Sequence, residues 1–255
     1  MIHGLYSSAT GIMTNSHRQD VIANNIANSE TVGFKKDLAL FQQRRTEAQA
    51  RGLPSSSNRI LEKLGGGILA APTQMDTSQG DLERTENNLD IAIRGPGYFQ
   101  VNDNGQPRLT RDGRFTVDPS GQLAMINAPG RQILDDAGRP IQFDRKKPRG
   151  EINIDEQGVV RQGNTKVARL AVVDATDRSK LQKVGDNLLS YPSTGPLQPS
   201  TSTVHSGNIE RSNVDPAREL TQLMDAQRQL EANANMIRVQ DATLARLVND
   251  VGRIS

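Results

Sequence analysis

Three histidines, His3, His17 and His205, are the first side chains to weigh for chemistry, because imidazole titrates near neutrality and ligates metals. None belongs to an H-E-x-x-H run, to a metal spacing with carboxylates or to a G-x-S-x-G elbow. Gly65, Gly66 and Gly67 lack the Lys-Ser/Thr that completes a phosphate loop, and Gly95-Pro96-Gly97 is not a G-x-G-x-x-G; both read as backbone freedom. "NDNG" at 102–105 resembles part of a calcium loop, but no glutamate follows at the bidentate position, so it reads as hairpin chemistry. The basic run Arg145, Lys146, Lys147 and Arg149 carries no interleaved aromatics to stack on bases and reads as a solvated loop. These absences predict a protein that is not an enzyme, holds no cofactor or metal and binds no nucleic acid.

Composition points the same way. Of 255 residues, 35% are hydrophobic and only 3% aromatic, with no Trp. That is lean for a deep-pocketed enzyme, yet too apolar for disorder throughout. With 31 basic against 29 acidic residues the formal charge is +2, without the basic excess of a nucleic-acid binder. Cysteine is absent, so no disulfide framework is possible. No apolar run reaches the roughly 18 residues needed to span a membrane, so no membrane insertion is expected, and "MIHGLYSSATGIM" does not read as a cleavable signal.

What must position any functional residue is a chain with helical grammar at both ends and strand grammar between. Near the C-terminus, Asp215 as N-cap and Pro216 at the first helical position open a helix. Steps of three and four then carry Leu220, Leu223, Gln227, Leu230, Ala234, Ile237, Asp241, Leu244, Val248 and Val251, a coiled-coil seam with polar breaks. Gly252 is the expected stop, with Arg246 and Arg253 near the negative end. At the N-terminus, Leu5, Ala9, Ile12, Ala23 and Ile26 keep the same spacing and predict a helix from about residue 4 to residue 27. Neither helix has a sequence neighbour to pack on, so the two should form one discontinuous helical domain.

The expected fold class is therefore α+β: a discontinuous helical coiled-coil domain from both termini plus a central antiparallel β-rich domain. Its boundaries are read as an N-terminal helix and turn at 1–41, a connector at 42–67 with one helical turn at Arg59 to Leu64, a β-rich domain at 68–205 and a C-terminal helix at 206–255. Within the β region, "DNGQP", "DPSGQ", "DDAGR" and "DEQGV" punctuate short apolar runs as hairpin turns. Val167 to Val173 reads as a strand, and "PSTGPLQPSTST" at 192–203 as a return linker.

A second stripe lies beside each seam: Ala217, Met224, Gln227, Ala234 and Arg238 on the C-terminal helix, Met13 and Ile22 on the N-terminal one. Two paired helices cover one face each, so this surplus predicts further partners. Asn24, Asn25 and Asn28, poor helix formers, then serve as hydrogen-bonding groups, with Phe34 anchoring the departing chain. The expected subunit interface comprises Leu5, Ile12, Ile22, Asn24, Asn25, Ile26, Asn28, Phe34, Leu220, Leu223, Gln227, Leu230, Ile237, Leu244 and Val248.

Four stretches together resemble the bacterial flagellar hook and basal-body rod proteins. They are "LYSSATGI" with "DVIANNIANSETVGFKK", "GDLERTENNLDIAIRGPGYFQV", "LTRDGRFTVDPSGQL" and "SNVDPARELTQLMDAQRQLEANANMI". The resemblance implies terminal helices that stack into the axial rod and a β-rich domain facing outward. It implies passage through the flagellar export apparatus without a cleavable signal, and a place in the periplasm-spanning rod. Implied partners are copies of the chain, other rod or hook subunits and the ring proteins around the rod. Chain length, the single β domain and the connector resemble the rod proteins more than the larger hook protein, and the connector length resembles a distal rod subunit, with a proximal one as the alternative. From another class, the alternative is a β-domain binding module dimerised by its helices.

Overall fold

A computed structural model describes residues 2–43, 67–145, 152–192 and 197–251. Residues 44–66 of the expected connector with its helical turn, Lys146, Lys147 and Arg149 of the basic run, and Gly252 and Arg253 lie outside the described residues. The fold is α+β. It divides into one unit of Met1–Ala27, Asp37–Gln74 and Asp215–Ser255, and a second of Asn28–Lys36 and Met75–Val214.

In the first unit the N-terminal helix spans Ile2–Ala27 and the C-terminal helix Pro216–Val251. Asp215 caps the latter as its residue type dictates: Oδ1 accepts from the N–H groups of Ala217 at 3.0 Å and Arg218 at 3.2 Å. Pro216, with no N–H to satisfy, takes the first position. Strands Asp37–Gln43 and Ile68–Met75 pair with one another, and the first packs on the N-terminal helix. Among the described residues no helix is long and apolar enough to cross a membrane.

In the second unit the central strand is Tyr98–Asp103, which pairs antiparallel with Gln106–Thr110 from Phe99 opposite Thr110 to Asp103 opposite Gln106. Alternation along it sorts two cores. Phe99 and Val101 enter the larger cluster with Ile91, Phe115, Leu123, Ile133 and Val160, whereas Tyr98 joins Leu109, Leu181 and Leu189. Phe99 meets Phe115 edge-on, with ring centroids 5.2 Å apart.

Two expected elements differ from the sequence reading. The strand expected at Val167 to Val173 is broken: Thr165–Arg169 pairs with Val159–Gln162, and Val172–Ala175 pairs with Tyr98 and Phe99 in another sheet. Leu170 and Ala171, buried between them, carry the chain from one sheet to the next, and an apolar run cannot reveal such a switch. The expected linker at 192–203 contains a strand, Leu197–Pro199, paired with Val173–Ala175. Proline is tolerated there because it closes a short strand.

Three of the four turn signals share one geometry. Asp118, Asp135 and Asp155 each accept, on Oδ1, the backbone N–H four residues on, at 2.8, 2.7 and 2.8 Å. The carbonyl of each accepts from the glycine three residues on, Gly121, Gly138 and Gly158, whose φ angles of 83°, 75° and 76° favour glycine. Burial pushes the Asp135 carboxyl up, but bonds from the Arg139 N–H and guanidinium outweigh it and hold the group below the ordinary carboxylate range.

Asn28–Lys36 crosses the second unit as a strap in which Val32, Gly33, Phe34 and Lys35 are buried. Its anchor is Glu210, 1% exposed. Lys35 Nζ lies 2.5 Å from Glu210 Oε1 and Arg111 lies 2.9 Å from Oε2, while the Gly80 N–H donates to Oε1 at 3.0 Å. Burial lowers the Lys35 pKa, and Glu210 opposes that shift.

Gly138 has open space around its missing side chain, so Gly138→Ala isolates the cost of a left-handed backbone. Urea unfolding should show a loss of about 1 to 2 kcal/mol. Because Asp135 is depressed in the folded state, its contribution is present above the unfolded value of about 3.9 and lost as pH falls through the folded value. The stability gap between wild type and Asp135→Asn should be flat near neutrality and shrink below about pH 4.

Candidate assembly interface

The helices pack antiparallel in layers. A Cβ on Gly4 would lie 2.7 Å from Gln240 Nε2, and one on Gly11 2.7 Å from Asn233 Nδ2. Asn25, 2% exposed, donates from Nδ2 to Glu219 Oε2 at 3.4 Å and to the Asp37 carbonyl at 2.9 Å, and its Oδ1 accepts from the Asp37 N–H at 2.9 Å. Steps of seven carry Gly4 to Gly11, Arg18 and Asn25, and carry Gln240 back to Asn233, Ala226 and Glu219. The same register therefore sets Arg18 opposite Ala226, which is fully buried. Two layers oppose an absent side chain to an amide and one opposes a methyl group to a long cation.

The seam is thus phased one residue away from the apolar stripe. On the C-terminal helix Leu223, Leu230, Ile237 and Leu244 are half-buried as expected of seam residues, but their alternates are Glu219, Ala226, Asn233 and Gln240. Leu220, at 53%, Gln227 and Val248, at 70%, are exposed instead. Gln227 donates along its own helix, to Glu231 at 3.4 Å. On the N-terminal helix Ser8, Ile22 and Asn25 are buried, Leu5, Ile12 and Ile26 half-buried, and Asn24 and Met13 exposed. The reason is steric: glycines let a polar helix approach closely, and hydrophobic counting gives such positions no weight.

The two other expected interface residues lie in the second unit. Asn28 makes the turn that follows the helix, accepting from the Thr31 N–H at 3.2 Å. Phe34 is buried beneath Lys183 Nζ, 4.0 Å from its ring centroid. Sequence reasoning missed Gly4, Gly11, Glu219, Asn233 and Gln240. Their one available signal was the seven-residue repeat of small or polar residues in both helices.

The His17 ring shares this helical unit, half-buried and with Nε2 unpartnered among the described residues. Gln240 Oε1 is likewise buried without a partner. His205 stands in a strand of the second unit, with Nε2 3.2 Å from Thr203 Oγ1.

Comparison with known proteins covers most of the chain. The family model described as "Flagella basal body rod protein" matches residues 5–35, "Flagellar hook protein FlgE/F/G D1 domain" residues 92–162, and "Flagellar basal body rod FlgEFG protein C-terminal" residues 205–250. The flagellar basal-body rod protein FlgF of Caulobacter vibrioides is 36% identical over 239 residues, 93% of this chain and 93% of that protein. The rod protein FlgG of Buchnera aphidicola subsp. Schizaphis graminum is 34% identical over 97% of this chain and 99% of its own length. FlgG of Bacillus subtilis is 30% identical over 98% and 99%.

Ala226 tests the close approach. Ala226→Leu adds three carbons where no space is left and should lower the stability of the helix pair by about 1 to 3 kcal/mol. Ala232→Leu, on an exposed position, should be neutral; thermal unfolding followed by far-UV circular dichroism compares the two.

Proposed function

The chain belongs to the family of flagellar basal-body rod proteins and is a structural protein of that kind; from that premise we propose that it self-assembles, without catalysis, through the helix faces its own pairing leaves uncovered. The observation that carries this reading is the phase mismatch. Leu220, Met224, Val239 and Val248 are more than half exposed at 53, 51, 62 and 70%, and Met13 on the other helix is 72% exposed. A soluble monomer gains nothing from such rows, whereas burying each Leu or Val against a neighbour contributes about 1.5 to 3 kcal/mol. Contacts between different faces of successive copies do not close, so they propagate a filament.

In this reading the paired helices form a coiled coil. Leu5, Ile12, Ile22, Ile26, Leu223, Leu230, Ile237 and Leu244 hold it together, and Leu220 and Val248 meet the next subunit. Asn25 fixes register within the pair, the exposed Asn24 and Gln227 set it between subunits, and Asn28 and Phe34 fix the chain that leaves the helix. Partners are copies of this chain and other rod or hook subunits, with ring proteins around the rod and the flagellar export apparatus before assembly. The connector length between residues 42 and 67 favours a distal place in the periplasm-spanning rod.

Two kinds of substitution separate pairing from assembly. Leu230→Asp or Leu244→Asp should break the helix pair and abolish assembly while the β unit stays folded. Leu220→Asp or Val248→Asp should leave circular dichroism unchanged yet stop filament growth, scored by negative-stain imaging of concentrated protein and by incorporation into basal bodies. Unchanged incorporation of either exposed-row variant sinks the assembly reading, and labelled subunits located in partly built rods decide between distal and proximal.

A further inference from the structure

The buried cluster at Glu210 holds two cations and one carboxylate. Lys35 and Arg111, 3% and 5% exposed, both point their charges at Glu210. Among the described residues their other close partners are carbonyls and a ring: Lys35 Nζ donates to Ser78 O at 2.6 Å, Arg111 donates to Gly95 O at 2.7 Å and Ile93 O at 3.4 Å, and its guanidinium lies over Tyr98 at 5.2 Å. The nearby buried Asp112 is engaged by Arg114 at 3.0 Å. The cluster is therefore limited by its anion. Asp76 acts on Lys35 only as a weaker, more exposed charge, so removing Glu210 strands two buried charges without a hydrogen-bonded anion, whereas removing one cation leaves an even pair.

Chain order adds a second constraint. Lys35 and Arg111 precede Glu210 by 175 and 99 residues. The other bonds that hold the strap also come late. The Gly33 N–H donates to the Glu210 carbonyl at 2.7 Å, and the Lys36 N–H to Asn213 Oδ1 at 2.8 Å. Asn187 Nδ2 donates to Val32 O at 3.0 Å, and Lys183 Nζ to Lys35 O at 2.5 Å. From earlier in the chain, Ser78 O accepts from Lys35, the Asp76 N–H donates to Lys36 O, and the Arg111–Asp112 backbone lies close against Gly33.

We propose that Glu210 is a completion latch: the strap Asn28–Lys36 docks into the β unit only when strand Asn208–Glu210 is laid against Leu82–Arg84, so the unit stays open until the last third of the chain has arrived. A chain emerging N-terminus first holds both cations ready, but they stay in water until their counter-ion appears. The latch makes closure of the β unit report that the chain is whole, a property useful to any protein that must remain unfolded until fully delivered.

The latch predicts an asymmetry that a simple ion pair does not. In the full chain Glu210→Gln keeps the shape and removes the anion; amide hydrogen exchange of Gly33, Phe34, Lys36 and Gly80 should speed up by about a hundredfold or more. Lys35→Met, although it lies on the strap itself, should change those amides by less than about tenfold, because the Glu210–Arg111 pair survives. Should Glu210→Gln fail to fold, pulse labelling of refolding wild type decides: strap amides should gain protection together with Ile209 and Arg211, after the hairpin at 98–110. Equal effects of the two substitutions, or strap protection that precedes the 208–210 strand, overturn the latch.

Discussion

Among the described residues the two long helices pair with one another, the N-terminal one also meeting strand Asp37–Gln43, and each keeps apolar residues on more than one face. The pairing is spent on the less apolar face. The side-chain amides of Gln240 and Asn233 take up the space left by Gly4 and Gly11, and Asn25 bonds Glu219, so small and polar residues set the contact while Leu220, Met224 and Val239 remain exposed. A helix of 36 residues owes most of its stability to tertiary burial. With only half-buried aliphatics on one side of the seam, that burial stays incomplete in a single subunit. Where the small residues lie, more than how many apolar residues there are, thus sets which apolar side chains the pair leaves exposed.

Local rules made much of this legible beforehand. The Asp215-Pro216 start, the aspartate-to-glycine turns and the Gly95-Pro96-Gly97 corner each depend on a few adjacent residues whose chemistry is self-contained, and they stand where the residue types put them. The helical phase was less accessible. Leu220 and Val248 look like better seam residues than Asn233 and Gln240 until the glycines opposite are known, and those lie more than two hundred residues away in sequence. The strap was invisible for the same reason. "TVGFKK" follows a helix and reads as a turn, but Lys35 is buried because Glu210 exists 175 residues later, and no window of sequence contains both. Composition misled at Leu197–Pro199, where serine and proline suggested a free linker and edge pairing made a strand.

The chain route gives the second unit a discontinuous boundary. It receives Asn28–Lys36 from the start of the chain and closes with Val214, one residue before the cap of the C-terminal helix. The bonds of Asn213 Nδ2 to Asp76 O at 3.1 Å and Ser78 O at 3.2 Å, and of Lys36 N–H to Asn213 Oδ1 at 2.8 Å, tie the three segments at that boundary. Lys36 and Asn213 are thus bonded to one another where the chain leaves the second unit, for strand Asp37–Gln43 after Lys36 and for the C-terminal helix after Val214. Each unit has its own internal contacts, the helical seam in the first and the Glu210 cluster in the second.

Polar seam residues also answer a problem that an aliphatic seam would create. Leu223, Leu230, Ile237 and Leu244 recur every seven residues and are nearly interchangeable, so on their own they would permit the helices to slip by two turns at little cost. The facing positions are not interchangeable. A slip of seven would move Asn233 from Gly11 to Arg18, where two long polar side chains compete for the space of one, and would take Glu219 away from Asn25. Unlike layers therefore select a single register at some cost in stability. That selection also fixes where every exposed Leu, Met and Val of one helix stands relative to the other helix.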